Sequence, residues 1–278
     1  MAKQISEAAR LIDAAVQPPL HRHENGKALL VGVCGSQGSG KSTVCKELAS
    51  TWSEQGWRVA VLSLDDLYLT RAEREQLARG VHPLLATRGV PGTHDVSLGI
   101  RTLRALGVPG RATLPRFDKA NDDRAAETSW EITETPVDVI LFEGWCVGAR
   151  PQNPAALSKP MNALETSEDA DGRWRNYVND QLAGEYQALF SSIDLLVLLA
   201  APDFDVVLRW RTQQERELRK VRPGSAVMDD VALARFVQHY ERLTRHILDE
   251  MPARADLVMH LDEDRRILST QSREGKAI

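Results

Sequence analysis

Apolar residues gather in five short runs, at 28–34, 57–66, 137–144, 192–200 and 255–262. Each is rich in Val, Ile or Leu, and none alternates strictly with polar residues. Runs of this kind predict parallel strands covered on both faces. Between them the apolar spacing changes to three and four. Ala9, Ile12 and Val16 mark a short helix over 6–16, and 43–55 reads as a helix ended by Gly56. Tyr177, Val178, Leu182, Tyr186 and Leu189 share one face of a helix over 174–190. Ala234, Val237, Tyr240, Ile247 and Leu248 do the same over 231–251. Strands alternating with helices predict a doubly wound α/β fold, a five-stranded parallel sheet with helices on both faces. The polar segment 150–172 holds three prolines and predicts a long loop insertion. Residues 1–278 read as one domain, with 1–27 as an N-terminal helical extension.

Composition narrows the function classes. An apolar fraction of 42% in 278 residues is enough for a sizeable core. The net charge of −4 argues against a nucleic-acid partner. No window approaches the roughly 20 apolar residues of a membrane span. Cys34, Cys45 and Cys146 lack metal-ligand spacing and predict free thiols in a reducing compartment. The N-terminal residues show no signal-peptide pattern, so the expectation is a soluble, cytoplasmic protein whose partner is a small molecule.

Directly behind the first apolar run stands Gly35-Ser36-Gln37-Gly38-Ser39-Gly40-Lys41-Ser42-Thr43, which fits the phosphate-binding pattern G-x-x-x-x-G-K-[ST]. Glycines let consecutive N–H groups turn inward onto phosphate oxygens, and the following helix offers its positive end to the anion. Lys41 would reach the β- and γ-phosphates, and the Ser42 hydroxyl would ligate Mg²⁺. The pattern predicts a P-loop NTPase that binds ATP with Mg²⁺. Neither an Asn-Lys-x-Asp guanine motif nor a Leu-Ser-Gly-Gly-Gln transporter signature is present. A kinase of small molecules remains.

Three further features bear on that reading. The second run ends in Asp65-Asp66, where a carboxylate faces the ligand crevice and can take the proton of an attacking hydroxyl. The same residues would also serve as helix N-caps. The third run ends in Glu143, suited to hold Mg²⁺ directly or through water, or else a charge turned to solvent. Residues 205–225 carry Arg209, Arg211, Arg216, Arg219, Lys220 and Arg222 on one helical stretch. This fits a mobile helical lid that neutralises transferred charge, and equally a solvated face with ion pairs such as Glu215–Arg219.

The segments "GSQGSGKST", "LSLDDLYLT", "RGVPGTHD", "LPRFDKA", "LFEGWCVGA", "WRNYVNDQL" and "WRTQQE" resemble the plant-type D-glycerate 3-kinases and their bacterial and fungal relatives, within the uridine kinase and phosphoribulokinase class. The resemblance implies Asp65 as general base, Lys41 and Ser42 as phosphate and metal groups, and Glu143 as the acid of the third strand. It also implies acceptor contacts from Arg88, His94 and Asp95 in one loop and from Arg116, Asp118 and Lys119 in another. Glycerate needs Arg or Lys for its carboxylate and acceptors for its hydroxyls, and both loops supply these types. Arg116 and Asp118 could instead pair with each other and only shape the loop. This chain departs from the plant pattern at Ala120-Asn121-Asp122-Asp123-Arg124, which lacks glycines, and Asp123-Arg124 stands for the basic pair.

The expected activity is phosphorylation of D-glycerate to 3-phosphoglycerate. The rivals are a kinase of another small acceptor, such as a nucleoside or pantothenate, and a non-catalytic ATP-binding regulator. Replacing Lys41 by Ala abolishes phosphoryl transfer and leaves the fold intact, which phosphotransfer assays and circular dichroism check together.

Overall fold

The computed structural model describes residues 5–22, 27–221 and 229–273. In chain order the helices are α1 (Glu7–Arg22), α2 (Lys41–Glu54), α3 (Arg71–Gly80), α4 (Val96–Leu106), α5 (Ala163–Glu168), α6 (Arg173–Ala183), α7 (Glu185–Phe190), α8 (Phe204–Val221) and α9 (Asp230–Glu250). The strands are β1 (Leu29–Gly35), β2 (Val59–Ser63), β3 (Gly110–Leu114), β4 (Phe117–Asp118), β5 (Asp123–Arg124), β6 (Glu131–Thr135), β7 (Val139–Gly144), β8 (Leu195–Ala200), β9 (Leu257–Leu261) and β10 (Ile267–Ser272).

The main sheet has the order β10-β9-β8-β1-β7-β2. All five strands expected from the apolar runs are present and parallel. β1, β7 and β8 are buried at every position, as continuous apolar runs require. Successive side chains point to opposite faces and build two cores. On one face Leu30, Ile140, Phe142 and Leu198 pack with α4, α6, α7 and α9. On the other, Leu29, Val31, Leu141 and Val197 pack with α1, α2 and α8.

The structure corrects the sequence expectation at four places. The first helix, expected over 6–16, runs on to Arg22. A sixth strand, β10, pairs antiparallel with β9 at the sheet edge. Its residues Ile267–Ser272 are mostly polar and exposed, so no apolar run announces it. The helix expected over 174–190 is broken at Gly184 into α6 and α7, where the Gly184 N–H caps the carbonyls of Asp180 and Gln181. The segment 150–172 is not all loop. It contains a short 3₁₀ turn and α5, whose N-cap Asn162 accepts from Glu165 N–H. Buried ion pairs Arg175–Asp169 and Arg242–Glu165 fasten it to α6 and α9.

Two small antiparallel pairs, β3–β6 and β4–β5, lie outside the main sheet. The second carries the "PRFDKA" loop. Cys34, Cys45 and Cys146 are free and buried. Among the described residues no helix is long and apolar enough to cross a membrane.

Leu48 of α2 is fully buried against the sheet. Leu48→Ala lowers unfolding free energy by about 2–5 kcal/mol, through lost transfer energy and the cavity left behind. Urea denaturation with an unchanged m-value checks it.

Candidate active site

β1 ends at Gly35, and the phosphate loop turns from there into α2 at Lys41. Gly38 has φ 81, and a Cβ there would lie 2.6 Å from the Trp210 Cβ, so only glycine allows the loop to pass α8. Behind the loop, Arg265 donates from Nε to the Gly38 carbonyl at 2.6 Å and stacks over Trp210 at 5.0 Å. The sequence alone does not single out Arg265, because it reaches the loop from the β9–β10 turn. The first turn of α2 carries no acidic residue. The hydroxyls of Ser36 and Ser39 are buried without a hydrogen-bond partner among the described residues. Unpaired buried donors beside a positive helix end suit a polyphosphate.

Glu143 ends β7 and is buried. Its Oε1 accepts from the Ser42 hydroxyl at 2.8 Å, and its Oε2 has no hydrogen-bond partner among the described residues. A hydroxyl and a buried carboxylate so placed fit a hard cation. No group of three or more His, Cys, Asp or Glu gathers among the described residues to hold a metal, here or elsewhere. Mg²⁺ here would therefore complete its shell with phosphate oxygens and water.

β2 delivers Asp65 beside this pair. The Ser63 hydroxyl caps the short 3₁₀ turn Leu64–Leu67 by accepting from Asp65 N–H. The carboxylate of Asp65 accepts from the Tyr68 hydroxyl at 2.9 Å and from Lys119 Nζ at 2.6 Å. Burial works to raise its pKa. The charges of Lys119 and Lys41 and both hydrogen bonds outweigh burial and hold Asp65 well below the ordinary carboxylate range. Asp66 does different work. It accepts from Phe117 N–H at 3.0 Å and from Arg116 at 3.4 Å, tying β4 to the end of β2. Burial pushes its pKa up.

The acceptor-side residues converge around Asp65, though several are committed to one another. Arg116 pairs with Asp66 and Glu131 rather than with Asp118. Asp118 instead accepts from the N–H groups of Ala120 and Asn121 and shapes its own turn. Arg88 bonds Asp122 and lies 5.4 Å over the Phe117 ring. Asp95 caps α4 through Leu98 N–H and pairs with Arg124 at 3.2 Å. Arg124 also donates to the Tyr68 carbonyl, while its buried Nε has no hydrogen-bond partner among the described residues. His94 is buried and stacks on Tyr68.

Residues given no role by the motifs hold these loops. Arg74, 1% exposed, donates to the carbonyls of Leu69, Ala86 and Asp122 and pairs with the Asp122 carboxylate. Trp145 donates to the Gly89 carbonyl at 2.9 Å, and Tyr240 donates to the Arg88 carbonyl at 3.1 Å. Gly89 has φ 142, and a Cβ there would meet the Tyr240 hydroxyl at 2.0 Å. Periodicity marks Tyr240 only as an apolar helix face, and nothing local marks Arg74.

The arginines of α8 are dispersed. Phe204, Val206, Val207 and Trp210 are buried, so the first turns of α8 are part of the sheet cover. Arg209 is exposed and pairs with Glu263. Arg211 pairs with Glu215 at 2.8 Å, and Arg216 is exposed. Arg222 lies outside the described residues, as do the side chains of Arg219 and Lys220.

Sheet order and loop together define a P-loop NTPase fold. The family model "Methylmalonyl Co-A mutase-associated GTPase MeaB" matches residues 5–68, the first helix through the short turn that follows β2. The uncharacterized kinase mug58 of Schizosaccharomyces pombe is 36% identical over 231 residues, 77% of this chain and 79% of that protein. The chloroplastic D-glycerate 3-kinase of Arabidopsis thaliana is 34% identical over 257 residues, 85% of this chain and 53% of that protein. A D-glycerate 3-kinase structure from Cryptococcus neoformans superposes with TM-score 0.80 at 26% identity, covering 97% of this chain and 100% of that one. The chain belongs to the P-loop kinase family of the D-glycerate 3-kinases and uridine kinases, and is an ATP-dependent small-molecule kinase.

Lys119→Met leaves burial as the dominant influence on Asp65. Its carboxyl then titrates at higher pH than in the unaltered protein, where it stays ionised through the ordinary carboxylate range. Carboxyl ¹³C NMR of labelled aspartates across an acid titration checks the direction.

Proposed function

We propose that this kinase phosphorylates a small hydroxy acid, D-glycerate above others, forming 3-phosphoglycerate from ATP. The observation that carries the reading is the Asp65–Lys119 pair, 2.6 Å apart. One small molecule bearing both a hydroxyl and a carboxylate can divide that pair. Its hydroxyl takes the place of Lys119 on Asp65, and its carboxylate takes the ammonium. Lys119 is the more exposed partner, at 60% for its side chain, so its movement disturbs little packing. Once Lys119 has moved, Asp65 loses its largest opposing charge and becomes a better base. The Arg124 Nε, buried without a hydrogen-bond partner among the described residues, is a second donor suited to the acid.

In the proposed reaction the acceptor hydroxyl oxygen bonds to the γ-phosphorus as the bond to the β,γ-bridging oxygen breaks. The hydroxyl proton passes to Asp65, and ADP leaves. Lys41 and the loop N–H groups hold the phosphates in line, so catalysis is mainly positioning and charge stabilisation. Ser42 and Glu143 would hold Mg²⁺, which when bound neutralises charge on the phosphate oxygens. Arg209 is held by Glu263, and Arg211, whose charge bears on Tyr240 behind the 88–95 loop, is the first candidate among the α8 arginines to meet transferred charge, with Arg216 further along.

The test is ADP release with Mg²⁺ and ATP, with and without D-glycerate. Strong stimulation by D-glycerate, lost in Lys41→Ala, is the expected result. No stimulation with ATP still bound moves the search to other acceptors. Asp65→Asn lowers kcat by about 10²–10⁴ with ATP affinity nearly unchanged. Equal losses in both would assign Asp65 a metal or structural part instead.

A further inference from the structure

The spacing of apolar residues places Tyr186 on a buried helix face, yet its hydroxyl is fully engaged. The oxygen accepts the Gly92 N–H at 2.9 Å, and the backbone N–H of His94 also bears on it. It lies 2.7 Å from Nδ1 of His94. Tyr186 is 1% exposed and His94 5%. With backbone N–H groups on the oxygen, the hydroxyl proton has one acceptor among the described residues, the Nδ1 of His94. The opposite arrangement, with a proton on Nδ1, would leave both the hydroxyl proton and the Nε2 lone pair unmatched in a buried site. The imidazole proton therefore belongs on Nε2.

That Nε2 is buried and has no hydrogen-bond partner among the described residues. Its ring stacks on Tyr68 at 4.6 Å between centroids, and the Tyr68 hydroxyl donates to Asp65. Burial pushes the His94 pKa down to about 3, against the pull of the Asp65 charge, so the ring is neutral near pH 7. A neutral N–H donor, close enough for its ring to feel the Asp65 charge, thus has no partner among the described residues.

We propose that Tyr186 is a positioning residue that locks His94 in its Nε2–H form, and that this donor binds the non-reacting hydroxyl oxygen of the acceptor. The second half rests on the hydroxy-acid reading above, and the first does not. The assignment follows from what the other groups supply. Asp65 suits the reacting hydroxyl and Lys119 the carboxylate, which leaves an uncharged oxygen for an uncharged donor. A buried N–H that the right ligand satisfies discriminates against a ligand lacking that oxygen.

Two measurements decide it. In ¹⁵N-histidine spectra between about pH 6 and 8, His94 appears as the neutral Nε2–H tautomer. In Tyr186→Phe it becomes a mixture. An Nδ1–H or charged ring in the unaltered protein overturns the proposal. The second compares kcat/KM for D-glycerate and 3-hydroxypropionate, the same acid without the 2-hydroxyl. The unaltered enzyme favours D-glycerate by about tenfold. Tyr186→Phe and His94→Leu bring the ratio near one with KM for ATP unchanged, and His94→Gln, which keeps an N–H donor, recovers part of it. Equal losses on both acids and on ATP would make Tyr186 merely structural and overturn the proposal. Silence with both acids overturns the hydroxyl assignment together with the reading it rests on, and the tautomer then stands or falls on the spectrum alone.

Discussion

The site depends on the register of three parallel strands. Glu143 of β7 sits opposite Val33 of β1 on one side and Ser63 of β2 on the other. One row across the sheet therefore fixes where the phosphate loop begins, where the metal-side carboxylate stands and where the Asp65 turn starts. Parallel strands all leave this row in the same direction, so their loops meet at one edge. Shifting any of the three by one residue would exchange the side chains it sends to each face of the sheet, against close packing, and withdraw its functional group. Close packing opposes the shift: at Gly32 of β1 a Cβ would meet Ile193 at 2.9 Å, so no other residue of the strand fits that place without its neighbours moving.

Above that rigid edge, charge is arranged in pairs that one ligand can rearrange. Lys119 on Asp65, Arg124 on Asp95 and Ser42 on Glu143 each join a strand-end or loop carboxylate to a donor from elsewhere. The pairs are not equal. Arg74, paired with Asp122, is itself buried and multiply bonded, and breaking the pair would strand its charge. Lys119 with Asp65 is open on the lysine side, where exchange with a substrate costs little. Stability and adaptability are thus divided between neighbouring ion pairs by burial.

The loop 88–95 shows how the fold supports the chemistry from behind. Trp145, Tyr186 and Tyr240 come from a strand end and two helices, and each spends its one polar atom on this loop. Their rings belong to the core, so the loop inherits the rigidity of the sheet's helical cover. Gly89 passes too close to the Tyr240 ring for a side chain, and Gly92 too close to the ring of Tyr177 on α6.

The sequence by itself determined the five parallel strands, the phosphate loop and several of the helices, though not α3 and α4. These depend on local signals, apolar runs, helical spacing and a glycine-lysine pattern, whose physics acts over a few residues. It also marked Asp65 and Glu143, because a carboxylate just past a buried run has to lie at the sheet's edge. Tertiary structure decided which charges pair. Arg116 chose Asp66 and Glu131 over its near neighbour Asp118, and Lys119 reached Asp65 across 54 positions of chain. It also decided the edge strand β10, the break at Gly184, and the parts played by Arg74, Arg265 and Tyr186. β10 is too polar to stand out as a strand, and the break at Gly184 interrupts an otherwise regular helical spacing. Arg74, Arg265 and Tyr186 act through partners distant in sequence, and hydrogen-bond geometry between distant segments leaves no periodic trace in the chain.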